Sequence, residues 1–271
     1  MIKIANLSNK LPDDFIFGVA TADHQCEAYD QQWEDIQDLW ENERNLTRRE
    51  KATDFWNRFE EDIVLAKNIG CKAFRFSLAW SRLEPAPGQF NEAAFTHYRN
   101  LLQSIRKEGM EPICTLHHYT WPVHIEKRGG SISPDFPEFF LKYTTEVVNR
   151  LGDLITYWIS FNEPNQLVYG YFKAGDYKLP PGLPPGTSYK EQMQKVRILI
   201  PNIFKAHKAA RTKIKQAYPN AKVGANPFLL GLPKFSRWFV DKEVCNLKES
   251  SWEKKGIVIR RTLHCGIRML I

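Results

Sequence analysis

Short apolar segments alternate with longer amphipathic segments along most of the chain, and this alternation limits its fold more than any other feature. Segments rich in β-branched and aromatic residues predict strands at Phe15–Ala20, Ala73–Trp80, Glu111–His117, Leu154–Phe161 and Lys222–Pro227. Helical spacing of apolar residues predicts helices at Thr53–Ile69, about Asn91–Glu108, about Pro134–Leu151 and about Tyr189–Ala217. Such alternation indicates a parallel sheet, either doubly wound or closed into a barrel.

The segment after the first predicted strand argues against a nucleotide-binding fold. FGVATADHQ has neither the GxGxxG nor the GxxxxGKS spacing that a phosphate-binding loop requires. In a (β/α)8 barrel, by contrast, catalytic groups lie at the carboxyl ends of several strands. The chain has polar residues in or just after its predicted strands, namely Gln25, Glu27, Arg75, His117, His118, Asn162 and Glu163.

The segment ISFNEP, residues 159–164, puts the carboxylate of Glu163 directly after an apolar strand and before a proline. An unpaired carboxylate out of water costs several kcal/mol or changes its protonation state, so we expect Glu163 to have a specific role. From this pattern alone, Glu163 could also cap a helix or pair with an arginine, and Asn162 could simply form a turn.

Composition and cysteine usage predict a cytoplasmic protein without a membrane segment. The chain has 271 residues, 43% of them hydrophobic, and shows no apolar run near 18 residues and no signal-peptide pattern at its start. Its five cysteines are scattered and form no CxxC pair, which is typical of a reducing compartment. His24, His117 and His118 have no recognised ligand spacing, so we expect no metal.

The net charge of +7 comes mainly from the end of the chain. Residues 248–271 include six basic and two acidic residues and so carry +4 of that charge. A basic segment can bind nucleic acid, with an affinity that falls steeply with salt. Because the rest of the chain is nearly balanced, we do not expect a nucleic-acid partner or a membrane surface.

Four segments resemble those of the glycoside hydrolase family 1 β-glucosidases, and they occur in that family's order. They are LPDDFIFGVATADHQCEAYD, FRFSLAWSRLEP, TLHHYTWP and FNEPN, spread over about the first 230 residues. The resemblance implies a (β/α)8 barrel that hydrolyses β-glycosides with retention of configuration, without a metal or an organic cofactor.

By the same resemblance, Glu163 looks like the general acid/base and Asn162 like the hydrogen-bond donor to the sugar 2-hydroxyl. Gln25 and His118 look like ligands of other sugar hydroxyls, and Arg75 resembles the arginine that orients the nucleophile. These residue types suit the chemistry, since the leaving oxygen needs a proton from a carboxylic acid. Two possibilities stay open for Trp121, which follows the third predicted strand: stacking on a sugar ring, or a place in the core, where aromatic residues of strands and helices more often lie.

The chain is too short for a whole barrel of this kind. Only 45 residues follow Asn226, whereas each further βα unit takes about 30 residues. The threonine-glutamate-asparagine-glycine block that carries the family's nucleophile does not occur in the sequence. We therefore expect residues 1–247 to be the amino-terminal part of a barrel, truncated to about five βα units, and residues 248–271 to be a tail of the kind a frameshift produces. The alternative function is that of a catalytically inactive sugar-binding remnant.

Overall fold

The computed structural model describes residues 15–172 and 186–227, in which five strands form one parallel sheet. The strands are β1 (Gly18–Ala20), β2 (Ala73–Ser77), β3 (Glu111–Thr115), β4 (Tyr157–Asn162) and β5 (Lys222–Asn226). Their order in the sheet is β1-β2-β3-β4-β5, so each strand pairs with the next one in the chain. This confirms the predicted parallel sheet, and sequential parallel order is that of consecutive strands in a (β/α)8 barrel.

Helices follow each of the first four strands and cover the sheet. The described α-helices are α1 (Asp23–Cys26), α2 (Ile36–Glu43), α3 (Phe55–Asn68), α4 (Trp80–Leu83), α5 (Glu92–Lys107), α6 (Val123–Glu126), α7 (Phe136–Leu151), α8 (Pro164–Phe172) and α9 (Tyr189–Ala217). Short 3-10 helices lie at Gln31–Trp33, Gly130–Ile132 and Gly152–Leu154. The four predicted helices correspond to α3, α5, α7 and α9, with ends that agree within two residues.

The second predicted strand was too long at its carboxyl end. β2 stops at Ser77, and Trp80 begins the short helix α4. The reason is a change of hydrogen-bond partner, because the backbone N–H of Ala79 donates to the Tyr98 hydroxyl at 2.8 Å instead of pairing with a strand. An apolar run of this kind fits a strand and a buried helical turn equally well.

Aromatic packing fixes the sheet against the helices on its outer face. The ring of Trp80 stacks on that of Tyr143 in α7, with centroids 4.6 Å apart. The Tyr143 hydroxyl donates to the carbonyl oxygen of Leu116 at 3.1 Å, just beyond β3. The ring centroid of Phe140 lies 4.6 Å from that of Phe161 in β4. These contacts hold the carboxyl ends of β3 and β4, where the polar residues are concentrated.

The predicted domain division falls outside the part of the chain that the structure describes. Residues 248–271, and the boundary at residue 247, belong to neither described range, so that division stays a prediction. Among the described helices, none has the length and apolar character needed to cross a lipid bilayer.

We expect replacement of Gly18 by alanine to destabilise the protein. A Cβ at Gly18 would lie 2.6 Å from the carbonyl oxygen of Ala73 in β2, so one of the two strands would have to shift. Steric overpacking of this kind typically costs about 1–3 kcal/mol in the free energy of unfolding. Urea unfolding of the Gly18→Ala variant measures this cost.

Gly224→Ala is the matched control, because Gly224 also lies in a strand, β5, and a Cβ there would meet no atom within 4 Å. The control should unfold at a urea concentration close to that of the wild type. Equal destabilisation by the two substitutions would contradict the proposed steric cause.

Candidate active site

A cavity of about 240 Å³ lies at the carboxyl end of the sheet. Its lining includes all the residues predicted for the site, which are Gln25, Arg75, His118, Asn162 and Glu163. They come from four different places in the chain and meet because the carboxyl ends of parallel strands share one edge of a sheet. The lining also includes Tyr119 and Asn226, which the sequence did not single out.

Arg75 lies in β2 with only 3% of its surface exposed. Its Nε donates to Thr115 Oγ1 in β3 at 3.1 Å, and one terminal nitrogen donates to Asn162 Oδ1 in β4 at 2.5 Å. Burial lowers the pKa of this guanidinium, while the nearby Glu163 carboxylate acts in the opposite direction. Both acceptors are neutral, so the buried positive charge stabilises an anion that reaches the cavity.

The side-chain amide of Asn162 is held in one orientation by three neighbours. Its Oδ1 accepts from Arg75 at 2.5 Å and from Asn226 Nδ2 at 3.1 Å. Its Nδ2 lies 3.1 Å from His118 Nε2. Because two donors meet Oδ1, the amide nitrogen must face His118 and donate to it. Asn162 therefore presents a fixed N–H group at the cavity.

His118 is electrically neutral at ordinary pH. Burial, reinforced by the charge of Arg75, lowers its pKa to about 3. Since Nε2 accepts from Asn162, the proton of the neutral ring is on Nδ1. The Nδ1–H has no hydrogen-bond partner among the described residues, so it is the donor left for a ligand hydroxyl, and the neutral ring adds no charge to the cavity.

The backbone at Glu163 adopts an unusual conformation. Its φ angle is +41°, in the left-handed region that non-glycine residues seldom occupy. The conformation is fixed from both sides, since the N–H of Glu163 donates to Asn226 O at 2.6 Å and its carbonyl accepts from Gln166 N at 2.8 Å. Pro164 then begins α8 with its own φ fixed, so the carboxylate leaves the strand at a sharp corner.

Tyr119 is a site residue that the sequence analysis missed. Its hydroxyl donates to Glu163 Oε2, and its own φ angle is +72°. Two residues with positive φ are thus joined by a hydrogen bond at the cavity wall. The position of Tyr119 directly after His118 was a signal in the sequence that it belongs to the site. Residue type alone, however, does not predict a left-handed conformation for a tyrosine.

Trp121 and Glu27 belong to the protein interior rather than to the cavity lining. Of the two possibilities for Trp121, the structure supports the core one, since the side chain is fully buried, stacks on His117 and donates its indole N–H to Glu126 at 2.9 Å. Glu27 accepts from Arg82 at 3.0 Å and from the Tyr98 hydroxyl at 2.8 Å. Burial raises the pKa of Glu27 to about 7 against the opposing effect of the Arg82 charge, and both of its carboxyl oxygens are bound by interior partners.

The low pKa of His118 predicts that its neutral form is retained in mild acid. An unfolded histidine titrates near 6.5, so between about pH 6 and 4 the unfolded chain binds a proton at this position that the folded chain does not. This group therefore makes the protein less stable as the pH falls. Replacing it by His118→Gln should reduce the pH dependence of the free energy of unfolding by up to about 1.4 kcal/mol per pH unit in that range.

Proton NMR gives an independent check on the same residue. The ring resonance of His118, assigned by its loss in the His118→Gln variant, should not move between pH 8 and pH 5. A midpoint near 6.5 would contradict the buried, neutral state.

Known proteins resemble this chain in sequence and in architecture. The family described as "Glycosyl hydrolase family 1" matches residues 7–230. Beta-glucosidase 25 of Oryza sativa subsp. japonica is 30% identical over 245 residues, which cover 84% of this chain and 47% of that protein. A 6-phospho-beta-galactosidase of Staphylococcus epidermidis is 32% identical over 222 residues, covering 80% of this chain and 45% of that protein.

Solved structures agree. The beta-glycosidase from Pyrococcus horikoshii superposes with a TM-score of 0.72 at 28% identity, over 90% of this chain and 55% of its own. The rice Os3BGlu6 beta-glucosidase gives a TM-score of 0.73 at 27% identity, over 88% of this chain and 53% of its own. The chain thus spans about half the length of the relatives it matches. From the extent of the family match, together with the shared fold, we conclude that the chain belongs to glycosyl hydrolase family 1.

Proposed function

We propose that the chain forms the acid/base half of a retaining β-glycosidase, with Glu163 as the general acid and base. The observation that carries this proposal is the meeting of Glu163, Asn162, His118, Gln25 and Arg75 around one cavity. In a retaining mechanism, a carboxylic acid protonates the leaving oxygen and later activates water as a base. The location of Glu163 in the lining of the cavity, at the end of β4, supports its use in both steps.

The neighbours of Glu163 have separate tasks in this proposal. Asn162 donates to the sugar 2-hydroxyl, a hydrogen bond that strengthens as the oxocarbenium-like transition state develops. His118 and Gln25 bind other hydroxyls, and the neutral imidazole suits that task because sugar hydroxyls carry no charge. The firm orientation of the Asn162 amide, with three partners, supports its role as a preorganised donor.

Arg75 is proposed to stabilise the second carboxylate that retention requires. Such a carboxylate would lie about 5–5.5 Å from that of Glu163. Within residues 15–172 and 186–227, no carboxylate oxygen forms an ion pair with Arg75. The missing nucleophile block of the sequence agrees with this, and we propose that this chain by itself does not complete the covalent step.

The proposed substrate class is that of β-glycosides, as the names of the relatives include both a glucosidase and a 6-phospho-galactosidase. We also propose a cytoplasmic location. The free thiols of Cys26, Cys71 and Cys114 in the described part of the chain support it, since thiols stay reduced in that compartment.

Leaving-group dependence tests the role of Glu163 wherever turnover is measurable. Removal of a general acid slows reactions with a poor leaving group by about 10²–10⁴-fold, whereas a good leaving group departs without a proton. We expect Glu163→Gln to reduce kcat/KM for methylumbelliferyl β-glucoside far more than kcat/KM for 2,4-dinitrophenyl β-glucoside, because kcat/KM reports the first step, in which the poorer leaving group needs a proton. Glu138→Gln is the matched control, since Glu138 pairs with Lys142 on the exposed face of α7.

Calorimetry of glucose binding covers the case in which the wild-type chain does not turn over. Binding that is weakened by Asn162→Ala, with no hydrolysis, would indicate the sugar-binding alternative. Hydrolysis by the wild type that Glu163→Gln leaves unchanged for both leaving groups would overturn the proposed acid/base role.

A further inference from the structure

A second cluster of chemically reactive side chains lies outside the cavity, between α1 and α2. His24 of α1 lies close to Asp35, Asp38 and Glu41, which surround the first two turns of α2. Its Nδ1 is 2.9 Å from Asp35 Oδ2 and its Nε2 is 3.1 Å from Glu41 Oε1. Three possible ligand atoms, one each from His24, Asp38 and Glu41, lie within 4.8 Å of one another.

Two carboxylate oxygens in this cluster are buried and have no hydrogen-bond partner among the described residues. They are Asp38 Oδ1 and Glu41 Oε2. Asp38 is only 1% exposed, and its other oxygen is already used by Arg49 at 2.9 Å and by the N–H of Asp35 at 3.1 Å. A buried carboxylate oxygen without a donor costs the full desolvation of that atom, so the arrangement calls for a cation or another donor.

The charges of the cluster do not balance. Asp35, Asp38 and Glu41 supply three negative charges, and Arg49 supplies one positive charge within the same contacts. Both ring nitrogens of His24 lie within hydrogen-bond distance of a carboxylate oxygen, which can only accept, so in the ion-free chain both nitrogens carry a proton and the ring adds a second positive charge. Three negative charges against two positive ones leave one excess negative charge in a region shielded from water. A divalent cation that displaces the proton from Nε2 would replace one positive charge by two and so neutralise the cluster, which a dry interior tolerates far better than a charged one.

We propose that His24, Asp38 and Glu41 bind a divalent cation of the Zn²⁺ class. Imidazole nitrogen and carboxylate oxygen are ligands that Zn²⁺ accepts, at about 2.0–2.2 Å. The 3.1 Å between His24 Nε2 and Glu41 Oε1 suits two adjacent ligands at such bond lengths. Asp35 then acts through His24 by accepting its Nδ1–H, so that Nε2 is the nitrogen that gives up its proton and binds the ion.

The same arrangement gives Arg49 a supporting task. Its bond to Asp38 Oδ2 fixes that carboxylate so that Oδ1 faces the ion. The ligands are also well placed in sequence, since Asp38 and Glu41 are three residues apart on one face of α2. The ion would join this face to α1, the helix that also contains Gln25.

Direct metal binding to the chelator-treated, folded chain tests the proposal without any assay of hydrolysis. Calorimetric titration with Zn²⁺ at pH 7 should show one site per chain, with a matching zinc content by mass spectrometry. His24→Gln and Glu41→Gln should each weaken binding by about 10-fold or more, since each removes a ligand. Glu138→Gln should bind as the wild type does.

The absorption spectrum of Co²⁺ bound in place of Zn²⁺ distinguishes thiolate ligands from nitrogen and oxygen ligands. The spectrum should show ligand-field bands without the charge-transfer band of a thiolate, since the proposed site contains no cysteine. A thiolate band, an absence of stoichiometric binding by the wild type, or binding unaffected by Glu41→Gln would overturn the site. Glu41 is 12% exposed in its side chain, so its variant keeps the test valid if His24→Gln does not fold. Hydrolysis results bear on the proposed function alone.

Discussion

The burial of Arg75 in the second strand is the constraint on which the candidate site depends. A guanidinium that is removed from water must have its donors satisfied, and its partners here come from the next two strands. Thr115 and Asn162 therefore fix the register of three strand ends around one charge. Because Arg75 binds Oδ1 of Asn162, the Asn162 amide can take only one orientation, with its nitrogen towards His118. The groups that line the cavity are thus set by the same interactions that hold the sheet together.

The sequence predicted the parts of the fold that depend on periodicity. The alternation of apolar strands and amphipathic helices was sufficient for the parallel sheet, and α9 has the predicted bounds, Tyr189–Ala217. The meeting of Gln25, Arg75, His118, Asn162 and Glu163 could also be predicted, since it follows from parallel strands and from the family blocks. Periodicity was a poor guide where the chain leaves a strand, as at Trp80, because a short apolar run has no preferred period.

Other features could not be predicted because they depend on contacts between distant residues. Trp121 is of a residue type that often stacks on sugars, but its indole N–H donates to Glu126 and its ring stacks on His117, both in the interior. The cluster around His24 likewise depends on how the loop before α2 returns to α1. The positive φ angles of Tyr119 and Glu163 are imposed by surrounding hydrogen bonds and contradict local preference. Such conflicts between local and overall structure are typical of functional sites.

The position of Glu163 is finally set by β5, whose residues are more exposed than those of the strands before it. The backbone N–H of Glu163 donates to Asn226 O, and Asn226 Nδ2 donates to Asn162 Oδ1. A ligand that engages Glu163 and Asn162 in this geometry therefore stabilises the pairing of β5 with β4. By thermodynamic reciprocity, anything that secures β5 to β4 tightens the binding of that ligand by the same factor. The affinity for the ligand and the stability of the pairing between β5 and β4 are therefore linked by one coupling free energy.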